Sequence, residues 1–493
     1  MNETNRTPCL KNTRRNVIDD ILNWISGDSS KKKQVLWVYG LAGTGKSTLS
    51  TTIAKMLRSR HHLGAFYFFS RDTSQRTAET LIRTLAYQLA IFDAHFGATI
   101  SKVVAEHDNI AIMPLEFQFD NLLSANALKF AEWSGEPIVL IIDALDECGS
   151  EVDREILLQA LSKGFSNLPS FIRIIIVSRP ESDIQHVLGS HLHLHPYTLD
   201  IDSVTNKNDV SEFIRHCLEK IRIKDKDGYL EDDWPGDDKI KSLADAADGL
   251  FIWASTACLY IDGFDPQERL SNVINKQTSS GPFTRLDILY KTGLSAGPWD
   301  DSSFSSGCRR MLGAILCARI PLSRSVIDTL LEFRLSGKIA SHLRCVLDKT
   351  ENGEFRILHA SFYDYLVSER CRDEPWSINL QHHNKELALR CIKLLDKELR
   401  ENMCDMTLPY LSQKRTLPDA ISYACQFWIE HICLVSDVTD DIVNQLNVFL
   451  GKHLLHWMEA MAILKSHDRT IKSIDNLMKW LVCPPICITE AFP

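Results

Sequence analysis

The chain has 493 residues, of which 44% are hydrophobic, 24% charged and 9% aromatic. That balance excludes a disordered or low-complexity polymer, and the length predicts two to four domains, since single cores stop growing near ~250 residues. A formal net charge of −9 argues against a surface built broadly for nucleic acid, which draws on clustered Lys and Arg.

In chain order, residues 1–33 form a lead helix segment. Its opening, "MNETNRTPCLKNTRRN", lacks the apolar core of a signal peptide, and the basic runs "KNTRR" and "SKKKQ" read as solvated helix ends or loops. From 34 to 200, five β-like runs alternate with helical patterns: "QVLWVY", "GAFYFFS", "PIVLIIDAL", "FIRIIIVSRP" and "HLHLHPYTL". This predicts an α/β P-loop NTPase core, a parallel sheet with crossover helices. Residues 201–284 read as a helical domain and linker, with "KQTSSGPFT" (Lys276 to Thr284) as the linker. Within that domain "GLFIWASTACLYI" is too short for the ~20 residues that span a bilayer and reads as a buried helix. Residues 285–376 combine helices with a hairpin signalled by the Asn-Gly step of "KTENGE", a winged-helix-like pattern. Residues 377–493 read as a C-terminal helical domain without a repeat period. The fourteen cysteines are scattered singly, as reduced cytosolic thiols are. Only Cys483 and Cys487 of "CPPIC" sit close together, and no second pair stands at zinc spacing.

Gly40 to Ser47, "GLAGTGKS", matches the phosphate-loop pattern G-x-x-x-x-G-K-[ST] in full. Glycines at 40, 43 and 45 let backbone N–H groups curl around a polyphosphate at the start of a helix. Lys46 is expected on the β- and γ-phosphates and Ser47 on Mg²⁺, with Thr44 and Thr48 completing the loop. Asp143 ends a buried strand at the sheet's carboxyl edge and is the expected Mg²⁺ partner. Asp146 and Glu147 are candidates to polarise an attacking water, or else mark a solvated helix start. Ala144 stands where many hydrolytic enzymes carry a glutamate, which predicts slow turnover. Arg179 ends another strand and offers its guanidinium to a γ-phosphate. Arg71, after "FYFFS", either assists phosphate binding or faces solvent. "HLHLH" (His191 to His195) places three imidazoles on one strand face, with no acidic or Cys partner next to it, and reads as an exposed edge strand rather than a metal site.

Taken together, these elements resemble the NACHT class of signal-transduction NTPases with numerous domains (STAND), in particular its fungal branch related to the nephrocystin-3-like N-terminal module. The carrying stretches are "CLKNTR", "VLWVYGLAGTGKSTLSTTIA", "FYFFSRDTSQRTAETLIRTLAYQLA", "IVLIIDALDEC", "IIIVSRPE", "DGLFIWAS" and "ILHASFYDYLVS". The resemblance implies a switch that is closed with ADP, opens to assemble with ATP, and is reset by slow hydrolysis. It implies ATP/ADP with Mg²⁺ as ligands, GTP being the alternative base. It further implies that His359 of "LHASF" reaches the β-phosphate in the closed form and that Thr13 and Arg14 lie near the base and ribose. Members of that class commonly carry an effector domain before this module and WD repeats after it, and the chain ends at Pro493 with no repeats; the resemblance therefore implies a minimal or shortened form. The partners implied are nucleotide and other protein chains, not nucleic acid or membrane. The region around "SRSVIDTLLEFRL" lacks the Lys/Arg density that groove contacts need. A steady NTP hydrolase, and an interaction scaffold with a weakly active site, are the alternative functions.

Overall fold

Strand side chains alternate between faces with period two, and in the strand Val35–Tyr39 (β1) that alternation divides two apolar clusters. Val35 and Trp37 enter one, Leu36 and Val38 the other. The computed structural model describes residues 7–27, 33–70, 76–128, 133, 135–189, 191–226, 228–276, 282–334, 336–350, 353–403, 416–436 and 438–482. Arg71, Cys483 and Cys487 lie outside the described residues, as does most of the expected linker. The chain packs as two compact units, Met1–Leu289 and Tyr290–Pro493.

The first unit runs α1 (Arg15–Ser26), β1, α2 (Lys46–Ser59), β2 (Leu63–Phe68), α3 (Ala78–Phe92), α4 (Ala94–Glu106), α5 (Leu115–Leu122), β3 (Ile138–Asp143), α6 (Glu151–Phe165), β4 (Ile172–Ser178), α7 (Ser182–Leu188), β5 (Leu194–Thr198), α8 (Val204–Lys224), α9 (Asp237–Ala247), α10 (Phe251–Ile261) and α11 (Pro266–Asn275). The division into units falls within α12 (Pro282–Ser295). All five expected β-runs are strands, in the order β2-β3-β4-β1-β5, and every pairing is parallel. The three central strands are sealed on both faces, as their unbroken apolar runs predict. On one face Leu81, Leu85, Phe119, Leu157 and Leu161 cover the sheet, and on the other Ile21, Ile25, Leu49 and Ile53 do. The result is a three-layer α/β domain.

Helix starts follow local chemistry. Ser150 caps α6 in a reciprocal box with Asp153, and Thr77 does the same for α3 with Thr80. At the sheet edge β2, the Gln88 side chain accepts from Phe66 N at 3.0 Å and donates to Phe66 O at 3.2 Å. β5 forms the opposite edge, where His193 and His195 are exposed.

The second unit runs α13 (Ser302–Cys317), β6 (Leu322–Ser323), α14 (Arg324–Leu330), α15 (Ser336–His342), β7 (Leu347–Lys349), β8 (Glu354–Ile357), α16 (Ala360–Val367), α17 (Leu380–Glu398), α18 (Asp419–Ile432), α19 (Asp440–Ile463) and α20 (His467–Val482). β6, β8 and β7 form a small antiparallel sheet. The β7–β8 pair is the hairpin expected at "KTENGE", and Gly353 takes φ +80° in its turn, a value that favours glycine. Trp428 packs edge-on to Phe449 and Trp457 in the helical core. Fully buried His431 accepts from Tyr423 OH at Nε2 (2.8 Å) and donates from Nδ1 to Asn384 Oδ1 (2.9 Å). The Asn384 amide is oriented by its own donation to Leu380 O at 2.9 Å. Among the described residues every cysteine is free, and no helix is long and apolar enough to cross a membrane.

Candidate functional site

Parallel pairing fixes what meets at the carboxyl edge of the sheet. β4 lies between β3 and β1, with Tyr39 opposite Ser178 and Ile142 opposite Ile176. The chain therefore delivers Gly40, Asp143 and Arg179 side by side, although they are far apart in sequence. Such an edge is where open α/β sheets bind ligands.

Gly43 and Gly45 take φ +82° and +84°, which turns the loop back on itself before α2. Gly45 occupies the cap position of α2 with no side-chain cap bond, so the first-turn N–H groups of that helix are presented at the loop rather than consumed by a capping side chain. The Lys46 ammonium donates to Gly40 O and Leu41 O, both at 2.8 Å. Burial pushes its pKa down to about 8, with Arg179 adding to the push, while Asp146, Asp143 and Glu147 pull it back up. Thr44 is fully buried and its hydroxyl donates to Leu41 O at 3.1 Å. Thr48 lies in the first turn of α2 and accepts the Thr52 hydroxyl at its carbonyl.

Ser47 Oγ donates to Asp143 Oδ1 at 3.3 Å, and Asp143 is fully buried. A hydroxyl and a carboxylate facing each other are hard oxygen donors, a set that fits Mg²⁺. Ser47 and Asp143 are the residues that would hold it, and there it would neutralise phosphate charge.

Asp146 and Glu147 sit on a short 3-10 turn, Leu145–Glu147, entered through Ala144 at φ +56°. The Asp146 carboxylate is engaged by Arg179 twice: Arg179 N donates to Oδ1 at 2.9 Å, and Arg179 Nε stands 3.3 Å from Oδ2. Glu147 is half-buried beside it. Two residues read separately in the sequence, a water-polarising acid and a phosphate sensor, are thus one ion pair.

The lead segment closes the other side. Thr13 is buried, its hydroxyl turned onto Leu10 O at 2.8 Å. Arg14 adopts φ +59° at the start of α1. Its guanidinium donates to Thr44 O at 2.5 Å, its main-chain N–H donates to Asp209 Oδ2 at 2.9 Å, and it lies 4.9 Å from the centroid of the Phe251 ring. Arg14 therefore reaches the phosphate loop and ties it to α8 and α10, whereas Thr13 bonds within the lead segment.

Sequence reasoning missed the part played by α10. Asp248 and Gly249 take φ +47° and +78°, making a sharp turn held by Asn206 Nδ2, which donates to Ile201 O and Gly249 O, both at 2.9 Å. The turn aims the first residues of α10 at the loop, where Ile252 N donates to Gly43 O at 3.0 Å. A Cβ on Gly43 would stand 2.0 Å from Ile252 Cγ2. The available signal was the Asp-Gly step just before an apolar helix.

His359 lies in the second unit. It caps α16, accepting Ser361 N at Nδ1 (3.1 Å), and Ser361 Oγ is 2.7 Å from the same nitrogen. An Nδ1 that accepts leaves the ring hydrogen on Nε2. Among the described residues "HLHLH" does not gather into a ligand group. Among the described residues, His382, His383 and Glu386 bring three ligand atoms within 4.8 Å, but Glu386 is taken by Arg310 at 2.7 Å. Burial opposes its charge, yet the bonds from His383 and Arg310 hold its carboxyl down at about 2; this is a packed ion pair.

Residues 13–179 match the family model described as Nephrocystin 3, N-terminal. No curated protein matches the chain. Among solved structures, the chain is similar to a signal transduction ATPase with numerous domains from Pyrococcus horikoshii that carries a tetratricopeptide repeat sensor. The identity is 12% and the TM-score 0.43, over 97% of this chain and 59% of that one. It is also similar to the Aeropyrum pernix Orc1 protein, solved in complex with DNA (12% identity, TM-score 0.32, 75% of this chain and 94% of that one). A third likeness is to PCH-2 of C. elegans (14% identity, TM-score 0.31, 57% of this chain and 69% of that one). The chain spans 59% of the length of the Pyrococcus protein, and at these scores no functional conclusion follows from the structural likenesses. The phosphate loop stands on its own geometry, and the family match covers the same strands.

Proposed function

We propose that this chain is a nucleotide-operated switch of the NACHT/STAND type, binding ATP or ADP with Mg²⁺ and hydrolysing slowly. The observation that carries the reading is the bond from Ile252 N to Gly43 O. It joins the loop that would wrap the phosphates to the first turn of α10. A loop that reshapes around two or three phosphates would move a helix, not merely a side chain.

In this reading Gly40, Gly43, Thr44, Gly45, Lys46, Ser47 and Thr48 hold the phosphates, Ser47 and Asp143 the metal, and Thr13 and Arg14 border the base side. Glu147 is the carboxylate for a water, and Arg179 senses the third phosphate. The second unit contributes a winged-helix-like domain whose His359 donates Nε2–H to the β-phosphate of the closed form. A ligand shifts such an equilibrium only through differential affinity, and full inversion takes roughly 5.5 kcal/mol.

Calorimetric titration of the full chain with Mg·ADP and a non-hydrolysable Mg·ATP analogue tests this, alongside small-angle scattering of both complexes. Both nucleotides should bind, Lys46→Ala should abolish binding, His359→Ala should weaken ADP selectively, and the two complexes should scatter differently. Identical scattering profiles would reject the switch, and steady phosphate release lost in Glu147→Gln would favour a hydrolase.

A further inference from the structure

Asp146 holds Arg179 by two handles. The bond from Arg179 N at 2.9 Å fixes where the chain turns after β4, and the pair with Nε at 3.3 Å fixes where the guanidinium points. The carboxylate side chain is 5% exposed and that of Arg179 16%, so solvent screens the pair far less than a surface bridge. Asp146 is itself anchored. Arg154, paired with Asp183 at 2.6 Å, donates to Asp146 O at 3.4 Å. Both members of the pair act on Lys46 with opposite sign, so they stand within electrostatic reach of the ammonium expected on the phosphates.

We propose that Asp146 is the internal counter-ion of Arg179, a positioning residue that competes with the third phosphate of a nucleoside triphosphate for the guanidinium and so biases the site toward the diphosphate. This rests on the nucleotide-binding reading above. While Asp146 stands against Nε, the charge of Arg179 is partly neutralised, and an arriving γ-phosphate meets a carboxylate as well as a guanidinium. It must displace that carboxylate or share the fork through the Nη groups. A diphosphate lacks the group that contests the pair. Removing the charge of Asp146 therefore favours the triphosphate. A water-polarising Asp146 would instead slow hydrolysis and leave the ratio of the two affinities unchanged, and a purely structural one would lower both affinities together.

The test is calorimetric titration of the full chain with Mg·ADP and a non-hydrolysable Mg·ATP analogue, in wild type, Asp146→Asn, Arg179→Gln and the double variant. Asparagine keeps an acceptor for Arg179 N and removes the charge. The ratio of triphosphate to diphosphate affinity should rise about fivefold or more in Asp146→Asn, the lower end of typical coupling between sites. The double variant should match Arg179→Gln alone. Asp146→Ser is the second charge-removing variant with the same expectation, and Asp146→Glu, which keeps the charge, should stay within about twofold of wild type. A ratio that is unchanged or lower without the charge, or a rise that persists without Arg179, overturns the proposal while wild-type binding of both nucleotides still stands. Wild type that binds neither nucleotide overturns the nucleotide reading itself.

Discussion

Lys46 carries its charge where burial makes that costly, with a pKa of about 8 rather than the usual lysine value, so its proton is exchangeable in an accessible range. A bound phosphate stabilises the ammonium and raises that pKa. Affinity should therefore be level below pH 8 and fall as pH rises toward the bound-state value, by up to about tenfold per unit. Calorimetric titration with Mg·ADP from pH 7 to 9.5 should show the decline in wild type and a flat profile in Lys46→Arg, whose side chain stays charged; a flat wild-type profile would show that Lys46 does not govern binding. The place of Lys46 at the start of α2, behind a glycine turn, is legible in sequence because the loop is contiguous and its spacing encodes its shape. The pairing of Asp146 with Arg179 is not, because it depends on β3 and β4 being neighbours and on a left-handed Ala144, neither of which a local pattern prints. The ties of Arg14 to Thr44, Asp209 and Phe251 were not legible either, because these three partners are scattered over about two hundred positions of the chain.

At the scale of elements, α10 and the phosphate loop form one mechanical piece. Gly43 has both a positive φ and no room for a Cβ, whereas Gly45 has the positive φ but would meet Phe251 only at an ordinary 3.8 Å. Gly43→Ala should destabilise the first unit by about 2–4 kcal/mol, combining the left-handed penalty with overpacking, and Gly45→Ala by about 1–2 kcal/mol. Adding Ile252→Ala should recover the steric part of the Gly43→Ala loss and leave the backbone part, as denaturant unfolding of the three variants would measure. No recovery would mean that α10 does not press on the loop. Four of the five strands were legible as apolar runs ended by a polar or glycine step, and the edge strand β5 by its alternation of apolar and polar residues. The docking of α10 was not, since it joins residues that only the folded turn at Asp248 and Gly249 brings together.

On the scale of the whole molecule, the second unit carries a sensitivity to acid in its helical core. Burial, reinforced by nearby Arg319, holds His431 down at about 3, against ~6.5 in an unfolded chain. Its contribution to stability is present above pH 6.5 and is lost as pH falls toward 3, reaching about 2–3 kcal/mol at pH 4.5. Thermal unfolding of the second unit's transition should shift down across that window in wild type. The shift should flatten in His431→Gln, which cannot take up a proton; equal slopes would remove His431 from the account. The hairpin and helices of this unit were legible from turn chemistry and periodicity, but the neutral Tyr423–His431–Asn384 chain was not, because its members come from two helices. The side of the sheet formed by β2 has a consequence for the molecule among its copies. Gln88 offers Phe66 the same acceptor and donor that a foreign strand would bring, so a residue of the chain already occupies the place where a stranger's backbone would attach. Crowded copies of the native protein thereby find the bonding groups of Phe66, in the middle of that rim, already taken.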